Sequence, residues 1–326
     1  MRRRDFITLL GSAATTWHLP AGAQGSIPVV GFLHSASRGP NEPLLAAFVK
    51  GLAELGLVEG RNLRMEYRWA DGDFDRLPAL AADLVQRRVD VLVAAGGNVS
   101  VLSAHAATST IPIVFTGVDD PVRLGVVTSF NHPGGNLTGV SLFNAVLSMK
   151  RLELLRELVP AATAIALLIN PRNPTSDKQV EDLQSAAPSN IQPIQVLKAT
   201  NASEIAAAFS AMREQRASAL IVGADPLFLN LRDQLIVLAA RDRLPVIYTQ
   251  REFATTGGLI SYGVSFPENY HQAALYVGRI IKGEKPGDLP VVQPTRFELV
   301  INLKTAKALG FEIPPTLLAR ADEVIE

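Results

Sequence analysis

Two successive series of short apolar, β-branched runs, each separated from the next by an amphipathic stretch, leave this chain few folds to adopt. In the first series Ile27 to Leu33 reads as a buried strand, Glu42 to Leu55 as a helix ended by Gly56, and Leu63 to Trp69 as a strand with alternating faces. Helix Phe74 to Gln86, strand Val89 to Ala94, helix Val99 to Thr108 and strand Ile113 to Phe115 follow. Nearly uninterrupted runs such as VDVLVAA and IPIVFTG are what parallel strands need when helices cover both faces of their sheet. The same order begins again with helix Leu147 to Leu158, closed by Pro160, strand Ala164 to Ile169 and helix Ser176 to Ala187. Strand Ile191 to Leu197, helix Glu204 to Arg213, strand Ser218 to Val222, helix Leu227 to Ala240 and strand Val246 to Tyr248 complete it. The repeat lies in pattern and not in identical residues. The expected fold is therefore α/β, with two Rossmann-like doubly wound lobes.

The remaining segments are too short for a third domain. A Pro-Gly-Gly turn inside Asn131 to Phe143 leads into a short strand expected to leave the first sheet. Gly257 to Phe266 reads as a strand and Glu268 to Ile281 as a helix. The Pro-rich stretch Gly283 to Pro294 precedes strand Arg296 to Ile301 and helix Leu303 to Leu309. These pieces are expected to return to the existing lobes, making three hinge crossings near Ser141, Tyr262 and Pro294. The N-terminal lobe would then hold 24–140 plus 263–293, and the C-terminal lobe 141–262 plus 294–326.

Ahead of the first strand, Arg3 and Arg4 precede Phe6 and Ile7, a moderately apolar stretch runs to Leu19, and Ala21-Gly22-Ala23 offers a small-x-small cleavage site. Thr8 to His18 is too short and too polar to span ~30 Å of hydrocarbon. Residues 1–23 therefore resemble a twin-arginine export signal, an address for chains that cross the membrane folded, and the mature protein is expected in the periplasm. There is no cysteine. This excludes disulfides, thiolate metal sites and a lipid-modified N-terminal cysteine, so no lipid anchor is expected. Lys plus Arg and Asp plus Glu both number 31, and the leader carries three Arg against one Asp, leaving about −2 on the remainder. No basic face for nucleic acid is implied. The five histidines lack a paired metal-ligand spacing, which argues against a His-based zinc site.

VVGFLHS at Val29 to Ser35, the block from His105 to Val127, PGGNLTGVS at Pro133 to Ser141 and INPRNP at Ile169 to Pro174 together resemble one family. It is the ABC-transporter substrate-binding proteins of type I periplasmic-binding-protein fold, in the branch typified by tryptophan and other aromatic amino-acid binders. The resemblance covers nearly the whole mature chain. It implies capture of a small solute between the lobes, delivery to an ABC permease in the inner membrane, no chemistry on the solute, no cofactor, and a monomer. His34-Ser35 stands where members vary, so the first loop does not by itself fix the ligand.

In open α/β sheets ligands sit beyond the carboxyl ends of the strands, where helix N-termini present free N–H groups. On the first lobe this rule selects Ser35 and Ala36, then Gly96, Gly97 and Asn98, then Thr116, Gly117 and Asp119. On the second it selects Asn170, Asn173, Asp225 and Tyr248 to Gln250, with Ser141, Phe143, Tyr262 and Gly263 at the crossings. Gly96-Gly97-Asn98 opens a helix and is read as an anchor for an α-carboxylate, although any tight strand-to-helix turn favours glycine and a capping Asn. Asp225 precedes a proline and a helix, so it is either an N-cap or the partner of an α-ammonium group. Asp119 and Asp120 raise the same choice, and Asp120, before Pro121, reads more as turn chemistry. Phe143, Phe228, Tyr248 and Tyr262 are candidates to hold an aromatic or aliphatic side chain, with Phe228 the closest to plain core.

An enzyme is the weaker reading: no G-x-G-x-x-G, no G-x-x-x-x-G-K-[ST] and no G-x-S-x-G occurs at a strand-to-helix turn. A periplasmic sensor for a membrane receptor would share the binding physics and stays open beside the importer role. The expected solute is a small carboxylate, first an amino acid with an aromatic or branched side chain, with aromatic acids, other small carboxylates and short peptides open beside it.

Overall fold

A computed structural model of the chain describes residues 27–142, 144–186 and 193–326. The leader, Phe143 and the start of the strand expected from Ile191 lie outside the described residues. The first lobe is built from β1 (Val29–His34), α1 (Arg38–Glu54), β2 (Arg64–Trp69), α2 (Leu77–Gln86), β3 (Val91–Ala95), α3 (Asn98–Ala107), β4 (Ile113–Val118) and β5 (Leu137–Ser141). The second begins with α4 (Asn144–Leu158), β6 (Ile165–Ile169), α5 (Ser176–Ala186), β7 (Gln195–Lys198), α6 (Ala202–Glu214) and β8 (Ala219–Val222). It continues through α7 (Pro226–Asn230), α8 (Arg232–Arg241), β9 (Val246–Tyr248), α9 (Arg251–Thr256) and β10 (Ile260–Val264). Then come α10 (Phe266–Ile281), β11 (Phe297–Asn302), α11 (Leu303–Leu309), α12 (Pro315–Leu318) and β12 (Glu323–Ile325).

The first sheet has the order β2-β1-β3-β4-β5, with every pair parallel. The second has the order β12-β11-β10-β9-β8-β6-β7. Its part β7-β6-β8-β9-β10 is parallel throughout and repeats the order of the first sheet. β11 then adds antiparallel to β10, and β12 parallel to β11. In each lobe the central strands are buried on both faces, so two apolar layers form. In the first lobe Phe32 and Val93 meet Phe48 of α1 and Val277 of α10, while Leu33 and Leu92 meet Leu84 of α2 and Val101 of α3 on the other face. In the second lobe Leu167 packs with Leu155 of α4 and Leu168 with Phe209 of α6, on opposite faces.

Several expected elements shift, each for a local reason. The strand after the Pro-Gly-Gly turn does not leave the first sheet but becomes its fifth strand beside β4. Asn136 holds it there, its side chain donating to Ile111 O at 2.7 Å while its own carbonyl accepts from Ile113 N. α1 starts at Arg38, not Glu42, because Pro40 falls in the first turn, where a helix has no acceptor for its N–H groups. The single helix expected from Leu227 is two, broken at Leu231. Short α9, α12 and β12 were not signalled by any periodicity.

The chain leaves the first sheet after Ser141 and returns after Val264, because β10 stays paired with β11 to that residue. Tyr262 and Gly263 thus belong to the second sheet, not to the crossing itself. α10 carries the chain back onto α1, and it departs again between Val292 and Phe297. Val292 bridges Val140, with Val292 N donating to Gly139 O and Ser141 N to Val292 O, both at 2.9 Å. Leu142, Val264 and Phe297, one from each crossing, cluster with Leu147 of α4. Beneath them the Arg151 side chain is almost fully buried and its Nε donates to Tyr262 O at 2.7 Å. Burial lowers its guanidinium pKa to about 10, partly offset by the nearby Asp119.

At Gly263 the backbone of β10 presses on the end of β9, and an added Cβ would lie 1.9 Å from Thr249 O. Gly263→Ala should therefore cost about 1–3 kcal/mol and lower the melting temperature by several degrees, measured by calorimetry. An unchanged transition would show that β10 can yield at this point.

Candidate ligand-binding site

Parallel strands of both sheets end toward one another, and a cavity of about 520 Å³, including the part open to solvent, lies between them. On the first lobe its wall is formed by His34 after β1, Gly96, Gly97 and Asn98 after β3, and Gly117 and Asp119 at β4. α10 adds Phe266 and Tyr270 to the same wall. The second lobe contributes Asn173 after β6, Asp225 and Pro226 after β8, and Gln250 after β9. The lobes touch beside this cavity. Thr175 Oγ1 donates to Asp119 Oδ2 at 2.7 Å, Asn98 Nδ2 reaches Thr175 Oγ1 at 3.4 Å, and Ser37 N reaches Asn230 Oδ1 at 3.4 Å. Arg172 of the second lobe pairs with Asp75 and lies over the Phe74 ring of the first.

Gly96 and Gly97 have φ of 81° and 99°, a region that glycine enters without strain. A Cβ on Gly96 would come within 2.6 Å of Ser35 Oγ and 2.8 Å of the His34 ring. Bare backbone is thus what lets this turn sit against His34 while Gly97 and Asn98, at the start of α3, line the cavity. Ser35 does not reach the cavity: it is fully buried and donates to Gly96 O at 2.5 Å. Ala36 is buried, its N–H donating to His34 Nδ1 at 2.9 Å. Thr116 is fully buried one residue below Gly117, and its Oγ1 has no hydrogen-bond partner among the described residues.

On the opposite wall Asp225 is the N-cap of α7, Oδ1 accepting from Leu227 N at 2.9 Å. Asn170 Nδ2 and Asn173 Nδ2 also donate to this carboxylate, at 3.1 and 2.9 Å. It caps the helix and lines the cavity at once. Burial pushes its pKa up to about 6, against the pull of these three donors, and the nearby Asp119 adds to the rise. Gln250 is buried, lines the same wall, and its Oε1 lacks a partner among the described residues.

Other expected contacts belong to the framework. Asn170 lies behind Asp225, its Oδ1 accepting from Arg172 N. Tyr248 stacks on Phe253 at 4.5 Å inside the second core, and Phe228 is buried in the same core. Tyr262 packs toward Phe297, Gly263 abuts Thr249, and Ser141 donates to Val292 O. Asp120 Oδ1 accepts from Val122 N and Arg123 N, as turn chemistry requires. Sequence reasoning missed His34, Tyr270 and Phe266 as lining residues. The strand-end rule stops one residue short of His34's role, and no such rule reaches α10, which arrives from the far side of a crossing.

Two similar α/β lobes, three crossings and a cavity between them, lined by polar turns and apolar side chains, define a two-lobed solute-binding protein. The model of the ABC transporter substrate binding protein family matches residues 41–325, and the chain belongs to that family. A "Tyrosine-binding protein" of Clostridioides difficile (strain R20291) is 28% identical over 265 residues, 81% of this chain and 76% of that one. The crystal structure of a conserved domain protein from Vibrio cholerae matches with a TM-score of 0.85 and 28% identity, covering 91% of this chain and 99% of the other. A Streptococcus pneumoniae ABC domain in complex with L-Trp gives a TM-score of 0.84 at 24% identity, covering 92% and 100%. The fold is that of the type I periplasmic binding proteins.

Thr175 holds residues of both lobes together. Thr175→Val should remove about 1–2 kcal/mol of contact between the lobes and enlarge the radius of gyration of the ligand-free protein in X-ray scattering. An identical scattering profile would assign closure to the other interlobe contacts.

Proposed function

We propose that the protein captures an amino acid, with an aromatic or branched side chain, in the interlobe cavity and presents it outside the cytoplasm to an ABC permease. The observation that carries this reading is the opposite hydrogen-bonding character of the two walls. The first lobe offers donors where α3 begins at Gly97 and Asn98, and the one carboxylate on its wall, Asp119, already accepts from Thr175 Oγ1. The second offers acceptors, the Asp225 carboxylate and Gln250 Oε1. A zwitterion bridging the walls satisfies both and favours the closed arrangement, since closure follows from higher affinity for that state. Leu142, Leu229 and Phe266 supply apolar lining for a side chain. The named ligands of the relatives, tyrosine and L-Trp, support the aromatic class. Delivery in the periplasm by the twin-arginine route, and action as a monomer, belong to the same reading.

Native mass spectrometry of the purified protein, then denaturing release, should recover one amino acid near unit ratio, and calorimetry should give saturable binding of L-tryptophan or L-tyrosine. An empty protein that binds neither these nor any other amino acid would overturn the reading.

The Asp225 role is testable through protons. Its carboxyl must be ionised to meet an ammonium group, and the ammonium stays protonated across the range. Affinity should be full near pH 7.5 and fall about tenfold per unit as pH drops below about 6. In the empty protein the sign is opposite: a raised carboxyl pKa gives stability that is present below about pH 4 and lost as pH rises through about 6. Asp225→Asn should weaken binding by about 10- to 100-fold at pH 7.5 and flatten the pH dependence, whereas Glu284→Gln, at an exposed ion pair, should do neither. A loss at Asp225 of less than about fivefold would leave it a helix cap alone.

A further inference from the structure

We propose that the Tyr270 hydroxyl is a solute-binding donor, that it gives its hydrogen bond to the solute carboxylate, and that His34 fixes the direction of that proton. This rests on the amino-acid reading above and deepens it by assigning the carboxylate end to a named side chain.

The inference starts at the buried imidazole. His34 Nδ1 accepts the backbone N–H of Ala36 at 2.9 Å. A ring nitrogen that accepts carries no proton, so the neutral ring has its one N–H on Nε2. Nε2 lies 2.9 Å from Tyr270 Oη. The imidazole is therefore the donor in this pair and the phenol oxygen the acceptor. Full burial of His34 favours the neutral ring, lowering its pKa to about 3. The ring is also fixed in place, stacked on Trp69 at 4.7 Å and hard against the Gly96 backbone.

A hydroxyl that accepts from His34 still has its own proton to give. A second polar neighbour, the Gly96 backbone N–H, is also a donor and cannot take it. Tyr270 is 2% exposed and lines the cavity together with His34, Gly96 and Gly97. The remaining direction for the proton is the cavity. A donor there, beside the start of α3, matches an anionic group and opposes an ammonium. Across the cavity Gln250 Oε1, buried and without a partner among the described residues, is an acceptor awaiting a donor from the solute. The solute is thereby oriented, carboxylate toward Tyr270 and ammonium toward Asp225 and Gln250. Tyr270→Phe would keep the ring and its packing and remove the hydroxyl, which is both the donor toward the cavity and the acceptor of the His34 Nε2–H. His34 touches the solute through Tyr270 and is a positioning residue.

The test is calorimetric titration of the wild-type protein and Tyr270→Phe with L-tryptophan and with tryptamine, which has the same side chain and ammonium but no carboxylate. Tyr270→Phe should weaken L-tryptophan about 10- to 100-fold and leave tryptamine within about twofold, because a hydrogen bond to a charged group is lost only for the acid. Equal losses for both ligands, or none for L-tryptophan, would overturn the proposal while leaving the amino-acid reading standing. Failure of the wild-type protein to bind any amino acid would overturn both. Nitrogen-15 NMR of the ligand-free protein tests the His34 role without a variant: the imidazole should be the neutral Nε2–H form from pH 5 to 8. A proton on Nδ1 would overturn the proposal whatever the solute.

Discussion

All else in this molecule follows from the parallel direction of its strands. A parallel sheet puts every strand-to-helix turn at one edge, and helix N-termini with unsatisfied N–H groups gather there. Two such sheets brought edge to edge leave a space whose walls are largely turns, with side chains from α10 and neighbouring segments added to them. That is why the cavity is lined by Gly96, Gly97, Gly117 and Asp225 while the large aromatics Phe32, Phe115, Phe209 and Tyr248 are fully buried elsewhere. The frame decides where a ligand can be held before any particular side chain decides what it is.

Magnitudes separate what is rigid from what can move. Each fully buried apolar side chain contributes roughly 1.5–3 kcal/mol, and both faces of both sheets carry many of them. The contacts across the cleft are a few hydrogen bonds and an exposed ion pair, each worth roughly 0.5–1.5 kcal/mol or less. Opening the lobes costs little beside deforming one. At the crossings Val292 is hydrogen-bonded to β5, and the Leu142, Val264 and Phe297 cluster ties the three segments together. Arg151 joins α4, which follows the first crossing, to β10, which precedes the second, through the Tyr262 carbonyl.

The layered architecture was legible because buried parallel strands leave an unmistakable apolar run, and both series of runs became sheets with the same order. The turns at Gly96, Gly97, Asn98, Gly117, Asp119, Asn173 and Asp225 were also reachable, since a strand end followed by a helix start is a local signal. What a one-dimensional pattern did not carry was the side from which a neighbour arrives. Ser35 and Ala36 were favoured over His34 because they follow the strand, yet the kink that buries them turns the His34 ring toward the cavity wall. Tyr270 sits on α10, far along the chain, and meets β1 only after a crossing returns it. Tyr248 and Tyr262 looked like ligand stacking groups, but nearby Phe253 and Phe297 claimed their rings.

The repeated strand order has a further consequence. β3 and β8 occupy the same place in their sheets, so the turn at Gly96-Gly97 in one lobe corresponds to the turn at Gly223-Ala224-Asp225 in the other. A frame duplicated in this way is blind to which end of a molecule is which, since both of its halves begin with the same electropositive helix start. One carboxylate breaks the tie. By folding back onto Leu227 N, Asp225 occupies the donors of its own helix and replaces them with a negative charge, reversing the polarity of that half. The two corresponding turns therefore present opposite charge to the space between the lobes, because a cap stands on one copy of the motif and is left off the other.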